Sequence, residues 1–146
     1  YAILSYTVKK IDPYFKEGVL IAEGVETAGF YNFDNPSRPT PDFKVRAFAN
    51  VSMGANASLL AYVNHVGEMT DRRAGTQSLP SGKAVDSFTT IDLHLNVAFN
   101  DSLSFTASVV NAGDQDPPLA YGDLMYDSYN HSPLGRIIKG GFKYRF

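Results

Sequence analysis

The sequence predicts an all-β fold, an antiparallel transmembrane β-barrel. Three observations carry that prediction. Residues 137–146 alternate strictly, earlier segments repeat the alternation, and the connections switch between tight turns and long polar stretches. In 137–146, Ile138, Gly140, Phe142, Tyr144 and Phe146 fall on one face, and Lys139, Gly141, Lys143 and Arg145 on the other. Period two is the geometry of an extended strand, whose successive side chains point to opposite sides. Aromatics on one face and cations on the other suit a strand that meets lipid on one side and water on the other.

In chain order, the first strand is expected at about 2–9, with Leu4, Tyr6 and Val8 opposite Ser5, Thr7 and Lys9. The second is expected at 43–53. There Phe43, Val45, Ala47, Ala49, Val51 and Met53 oppose Lys44, Arg46, Phe48, Asn50 and Ser52. The third, 57–66, alternates more weakly: Ala57, Leu59, Ala61 and Val63 outward, Ser58, Leu60, Tyr62 and Asn64 inward. The fourth, 89–99, is the clearest, with Ile91, Leu93, Leu95, Val97 and Phe99 against Thr90, Asp92, His94, Asn96 and Ala98. The fifth, 103–111, sets Leu103, Phe105, Ala107 and Val109 against Ser104, Thr106 and Ser108. The sixth is 137–146.

Gly54-Ala55-Asn56 and Asn100-Asp101-Ser102 are composed of turn formers and predict tight turns. Between them run long Gly/Pro-rich segments, 10–42, 67–88 and 112–136. Loops beyond about 12–15 residues are uncommon in compact soluble domains. Outer-membrane barrels pair short periplasmic turns with long extracellular loops. With Phe146 on the periplasmic side, both tight turns fall there and all three long segments fall outside. Six strands cannot close, since single-chain barrels have about eight or more. An open edge in lipid leaves backbone groups without partners. Further strands are therefore expected before Tyr1. No signal peptide is visible and the chain opens in mid-strand, so it is read as a fragment without its N-terminal part.

Composition agrees. A net charge of −2 and a pI of about 5.9 give no basic footprint for nucleic acid. The absence of Cys excludes a disulfide framework and thiolate metal sites. No apolar run approaches the ~18 residues of a spanning helix, a test that is blind to barrels. Aromatics are 13% of the chain, all Tyr and Phe, and favour strands.

The stretch from Phe105 through Asn111, Asp114, Asp116, Pro117 and Pro118 resembles the penultimate strand of TonB-dependent outer-membrane receptors. In that family the strand runs into a motif close to Asn-x-x-Asp-x-Asp-Pro; here Ala112 and Gly113 replace the usual apolar residues after the Asn. Tyr126-Asp127 and Ser132-Pro133-Leu134-Gly135-Arg136 look like the family's elements before its last strand, and residues 85–93 look like its preceding strand. The resemblance is tight over about residues 85–146 and looser back to Phe43. It implies that residues 1–146 are the C-terminal part, the last six strands, of a 22-stranded barrel whose plug and N-terminal strands are absent here. The end of the chain also resembles the assembly signal of outer-membrane barrels, with Lys139, Gly141, Tyr144 and Phe146 in its places.

Candidate residues have plainer readings beside sharper ones. Lys139, Lys143, Arg145, Lys44 and Arg46 could form a basic lumen surface for an anion, or simply a polar lining. His65, His94 and His131 lack the spacing of a local metal site. Asp114 and Asp116 could hold Ca²⁺ but more simply end a strand, as Pro117 and Pro118 do. Tyr121, Tyr126, Tyr129 and His131 suit ligand gripping at a barrel mouth, and equally suit packing between loops. No nucleophile–base set, phosphate loop or catalytic carboxylate pair is found, and neither enzyme activity nor a metal or cofactor is expected.

The resemblance implies part of an active importer in the outer membrane of a Gram-negative bacterium. Its partners would be outer-membrane lipid, the protein's own plug and other barrel strands, TonB through the missing part, and the barrel assembly machinery. The cargo would be a scarce small molecule such as an iron-siderophore, a cobalamin or a carbohydrate. The alternatives are a passive porin-type barrel and, in a different class, a soluble β-sandwich binding module.

Overall fold

A computed structural model of the chain describes residues 14–16, 19–22, 28–31, 39–71, 84–120 and 124–146. The expected strand at 2–9 lies outside them. The described residues are all-β and contain no helix, so none is long and apolar enough to cross a membrane. Ten strands follow in order: β1 Tyr14–Lys16, β2 Val19–Ala22, β3 Phe30–Tyr31, β4 Lys44–Met53, β5 Ala57–Val66, β6 Met69–Asp71, β7 Ala84–Val85, β8 Phe88–Ala98, β9 Leu103–Val110 and β10 Ile137–Tyr144.

The five long strands form one antiparallel sheet in the order β10-β9-β8-β5-β4. These are the strands expected at 43–53, 57–66, 89–99, 103–111 and 137–146, with ends moved by no more than two residues. Each pairs with its neighbour among these five along the chain, an up-and-down meander. The sheet is open and does not close into a barrel: β4 and β10 each have one neighbour among the described residues.

The register carries the alternation across all five strands. On one face Val51, Leu59, Leu95, Ala107 and Gly140 follow one another across the sheet, as do Ala49, Ala61, Leu93, Val109 and Ile138. On the other face Ser52, Ser58, Asn96, Thr106 and Gly141 line up. A slip of one residue in any pair would exchange the faces of that strand, so the consistency marks one specified register. Phe105 and Phe142 meet directly, with ring centroids 4.8 Å apart.

Both tight turns lie at the same end of the sheet. Gly54 adopts φ 72°, which a Cβ would oppose, between β4 and β5. Asn100 folds the second turn with its side chain: Oδ1 accepts from the amides of Ser102 and Leu103 at 2.9 and 2.8 Å. The Arg145 amide donates to the Ser102 carbonyl at 2.8 Å, so the chain terminus lies at this end too.

The long segments meet at the opposite end and build a cap. The short strands β3, β6 and β7 form a second sheet there, with β3 parallel to β6. Its core is Tyr31, Met69, Val85 and Ala120, drawn from all three long segments. Sequence patterning predicts loops here. Strands of two to four residues have no readable period, and β3 finds its partner only far along the chain. The pair β1–β2 forms a separate antiparallel hairpin.

Candidate functional site

The polar face is built rung by rung. Arg46 lies over the Tyr62 ring at 4.2 Å, and Tyr62 also meets His94 edge-on at 5.7 Å and Phe48 at 6.0 Å. The five cations, weighed as a basic surface or as plain polar lining, fall into two groups, with Arg145 just past the end of β10. Lys44 and Arg46 sit on β4, and Lys139 and Lys143 on β10, with three strands between them. At about 4.8 Å per strand the two groups lie about 19 Å apart across the sheet. An open recess of about 600 Å³ at the turn end has Asn96, Asp101, Thr106, Lys143 and Arg145 in its wall.

Asp92 organises the junction of sheet and cap. Its Oδ2 accepts from Asn64 Nδ2 at 2.9 Å and its Oδ1 accepts from the Asn111 amide at 3.0 Å. Asn111, buried and at φ 52°, then clamps Gln115: Nδ2 donates to the Gln115 carbonyl at 2.9 Å, and Oδ1 accepts from the Gln115 amide at 3.0 Å. Asp114, at φ 54°, reaches the far end of the same long segment. Its Oδ1 accepts from the Arg136 amide at 2.7 Å, and Oδ2 lies 3.3 Å from the Arg136 guanidinium. A Cβ on Gly135 would stand 2.7 Å from Asp114 Oδ1, so that position admits only glycine without a shift. The Asn111–Asp116 and Ser132–Arg136 motifs are thus one structure, the closure of a loop. Asp114 is engaged there by Arg136, and no group of three or more metal-ligating side chains occurs among the described residues.

Of the four residues singled out in the last long segment, Tyr121 lies outside the described residues. Tyr126 is half-buried and forms a backbone bridge with Leu119, while Tyr129 is exposed. His131 is not at the surface; it is 6% exposed, against the Phe88 ring at 5.1 Å. Asp127, 1% exposed, shapes the turn that holds it. Its Oδ1 accepts from the Tyr129 amide at 2.9 Å, its Oδ2 from Asn130 Nδ2, and its carbonyl from the His131 amide at 3.0 Å. Asn130 Nδ2 also donates to the Pro39 carbonyl at 2.9 Å, tying the last long segment to the first.

His131 faces a cavity of about 220 Å³ between the cap and the polar face. Neither ring nitrogen has a hydrogen-bond partner among the described residues. A buried polar group left this way costs about 1–3 kcal/mol. Burial pushes the imidazole below its ordinary value of 6.5; Asp127 pulls it up and Lys44 pushes it further down. The ring is therefore neutral near pH 7, with one nitrogen a donor and the other an acceptor.

The sequence reading placed Asp92 on the polar face and Asp127 in the Tyr126-Asp127 element but gave neither a role. The readable signal for Asp92 was a carboxylate on a strand with no other formal charge; Asp127 gave none beyond its place after Tyr126. At the chain end, Lys139 and Gly141 lie on the polar face and Tyr144 on the apolar one, with Phe146 edge-on to Tyr144 at 5.1 Å. His65 is at the apolar-face rim, stacked on Phe43 at 5.2 Å and bonded to Thr89 Oγ1 at 2.8 Å. No protein-family model matches this chain, and no curated protein or solved structure matches it.

Proposed function

We propose that the chain is wall and outer loops of an outer-membrane transport barrel, the C-terminal part of a TonB-dependent receptor that imports a scarce small molecule. The observation that carries this reading is the apolar face. From β4 to β10 the membrane-facing side holds no formal charge, and Val51, Val63, Ile91, Ile138 and Phe142 on it are exposed. An exposed apolar face this wide on a water-soluble protein calls for a partner. Lipid suits its dimensions. A ten-residue strand spans about 33 Å, and a tilt of about 45° reduces that to roughly the 25 Å of an apolar barrel band. Phe99, Tyr144 and Phe146 are exposed at the turn end, where an aromatic girdle belongs.

In this reading β4 and β10 continue into further strands, the turns face the periplasm, and the cap faces outward. Lys139, Gly141, Tyr144 and Phe146 serve the barrel assembly machinery. The chain supplies wall and loops and no reaction of its own. The test is labelling of single cysteines with a membrane-impermeant maleimide, against a chain that has no Cys. Ser128→Cys should react on intact cells, and Ala55→Cys only after the outer membrane is breached. Equal labelling of both would overturn the topology. Uptake that survives collapse of the inner-membrane proton gradient would point to a passive porin instead.

A further inference from the structure

His131 is a point at which the last long segment rests on the sheet. Its ring meets Phe88 of β8 edge-on at 5.1 Å. Both ring nitrogens are closed off from solvent and lack a partner among the described residues. Beside it, Asn130 Nδ2 donates to the Pro39 carbonyl at 2.9 Å. The base of the segment is closed separately, by Asn111 on Gln115 and by Asp114 on Arg136. The stretch 127–134 can therefore lift from the sheet without opening that base. Beneath it lies the cavity of about 220 Å³, with Asn64, Thr90 and Asp92 of the polar face in its wall.

A neutral ring suits this place and a protonated one does not. An imidazolium has two N–H donors. Here neither would meet a protein acceptor or water, and a buried charge without partners is costly. The charged groups around the ring do not supply the missing acceptor. Asp127, on the same turn, attracts the charge, but its oxygens accept from the Tyr129 amide and Asn130 Nδ2. Lys44 of β4 repels it. Asp92 of β8 lines the cavity with its oxygens on Asn64 and the Asn111 amide. Once the turn lifts, water solvates both nitrogens. The open state then takes up a proton near the ordinary 6.5, while burial makes the closed state resist it. Acid therefore favours opening, by at most about tenfold per pH unit for one proton.

We infer that His131 is an acid-released latch, which holds residues 127–134 over the polar face at neutral pH and frees them as the medium is acidified. The device goes beyond the barrel reading and does not depend on it, since every group in it belongs to the cap or to the polar face. At the mouth of a barrel it makes access to the lumen depend on pH.

The test places a cysteine under the turn, Thr90→Cys, in the intact protein in detergent. Its rate of maleimide labelling is measured at about pH 7.5 and about pH 5.5, on either side of the imidazole's ordinary value. Each rate is divided by that of Ala55→Cys, exposed at the far end of the sheet. Both pH values lie below the ordinary thiol pKa of about 8.5, so the loss of thiolate cancels in the ratio. The ratio should rise severalfold on acidification. His131→Phe keeps a ring against Phe88 and takes up no proton, and should hold the ratio constant. Lys44→Met removes the repulsion, lets the closed ring accept a proton more readily, and should shrink the rise. A ratio unchanged by pH, or a rise that survives His131→Phe, overturns the latch. Should Phe leave the turn open at both pH values, Lys44→Met decides, and an undiminished rise there overturns it as well.

Discussion

In the cap, Tyr31 and Met69 are 2% and 1% exposed, whereas Ile138 and Phe142 in the sheet are each 73% exposed. No residue of the five long strands is buried, although these strands carry most of the chain's patterned apolar residues. The cap is irregular and has a core; the sheet is regular and has none. The two regions differ in what covers their apolar side chains. The cap buries its few apolar side chains against one another. The sheet pairs its backbone except along the outer edges of β4 and β10, and leaves its apolar face to something outside the described residues.

The comparison breaks most sharply at Met69. Met69→Ala should destabilise the cap by about 2–5 kcal/mol, the usual range for a buried Met truncation. Amide exchange should rise in β3, β6 and β7 and stay unchanged in β8. A matching rise in β8 would mean that cap and sheet are one cooperative unit.

The next effect tests the sheet. Leu95 lies mid-strand on the apolar face between Leu59 and Ala107. Leu95→Arg should cost about 2–4 kcal/mol in lipid, as charge near a bilayer midplane does. Asn96→Arg, one residue on and facing the polar side, should be much milder. Refolding stability in bilayers measures both, and equal costs would remove the distinction between the faces.

A smaller effect is expected at Gly135. The added methyl of Gly135→Ala must push aside the half-exposed Asp114 carboxylate and its bond to the Arg136 amide, a loss of about 0.5–1.5 kcal/mol. Loss should appear as proteolysis within 112–136 while the sheet keeps its protection. Removing the Arg136 charge alone should do less, because that ion pair is half-exposed and such pairs contribute about 0–1 kcal/mol.

The mildest effect is that of pH. His131 holds its proton less tightly in the folded cap than in an unfolded chain, whose imidazole titrates near 6.5. Between the lowered value and 6.5 the unfolded state binds the extra proton, so stability rises with pH across that window and falls as the medium is acidified. Asp127 moderates the effect, and Lys44 adds to it. Protection factors around residues 127–131, corrected for the intrinsic pH dependence of exchange, should fall below about pH 6.5, where the unfolded imidazole takes up its proton. His131→Phe should flatten the dependence; an unchanged slope would assign it to another group.

The long strands were legible because alternation is local. Leu93, Leu95 and Val97 announce a face without reference to any other segment, and the observed register then joins faces that each strand already had. Turn chemistry was legible for the same reason: Asn100 closes its turn with its own side chain. The cap was not. Tyr31 pairs beside Asp71, and Asn130 reaches Pro39, across separations at which no periodicity survives. His131 was picked out as an aromatic, polar loop residue. Its burial depends on Phe88 and on the turn held by Asp127, neither of which its neighbours in sequence disclose.

By itself, then, the sequence determined the five long strands, their two faces and the two tight turns at one end of the sheet, because each follows from side chains within a few residues of one another. Only the tertiary structure decided that three long segments share a core, that Asp114 closes a loop with Arg136, and that His131 faces a cavity with no partner for its ring. Those outcomes depend on contacts between distant residues, where loop-closure entropy must be overcome by packing, and packing is a property of the assembled chain.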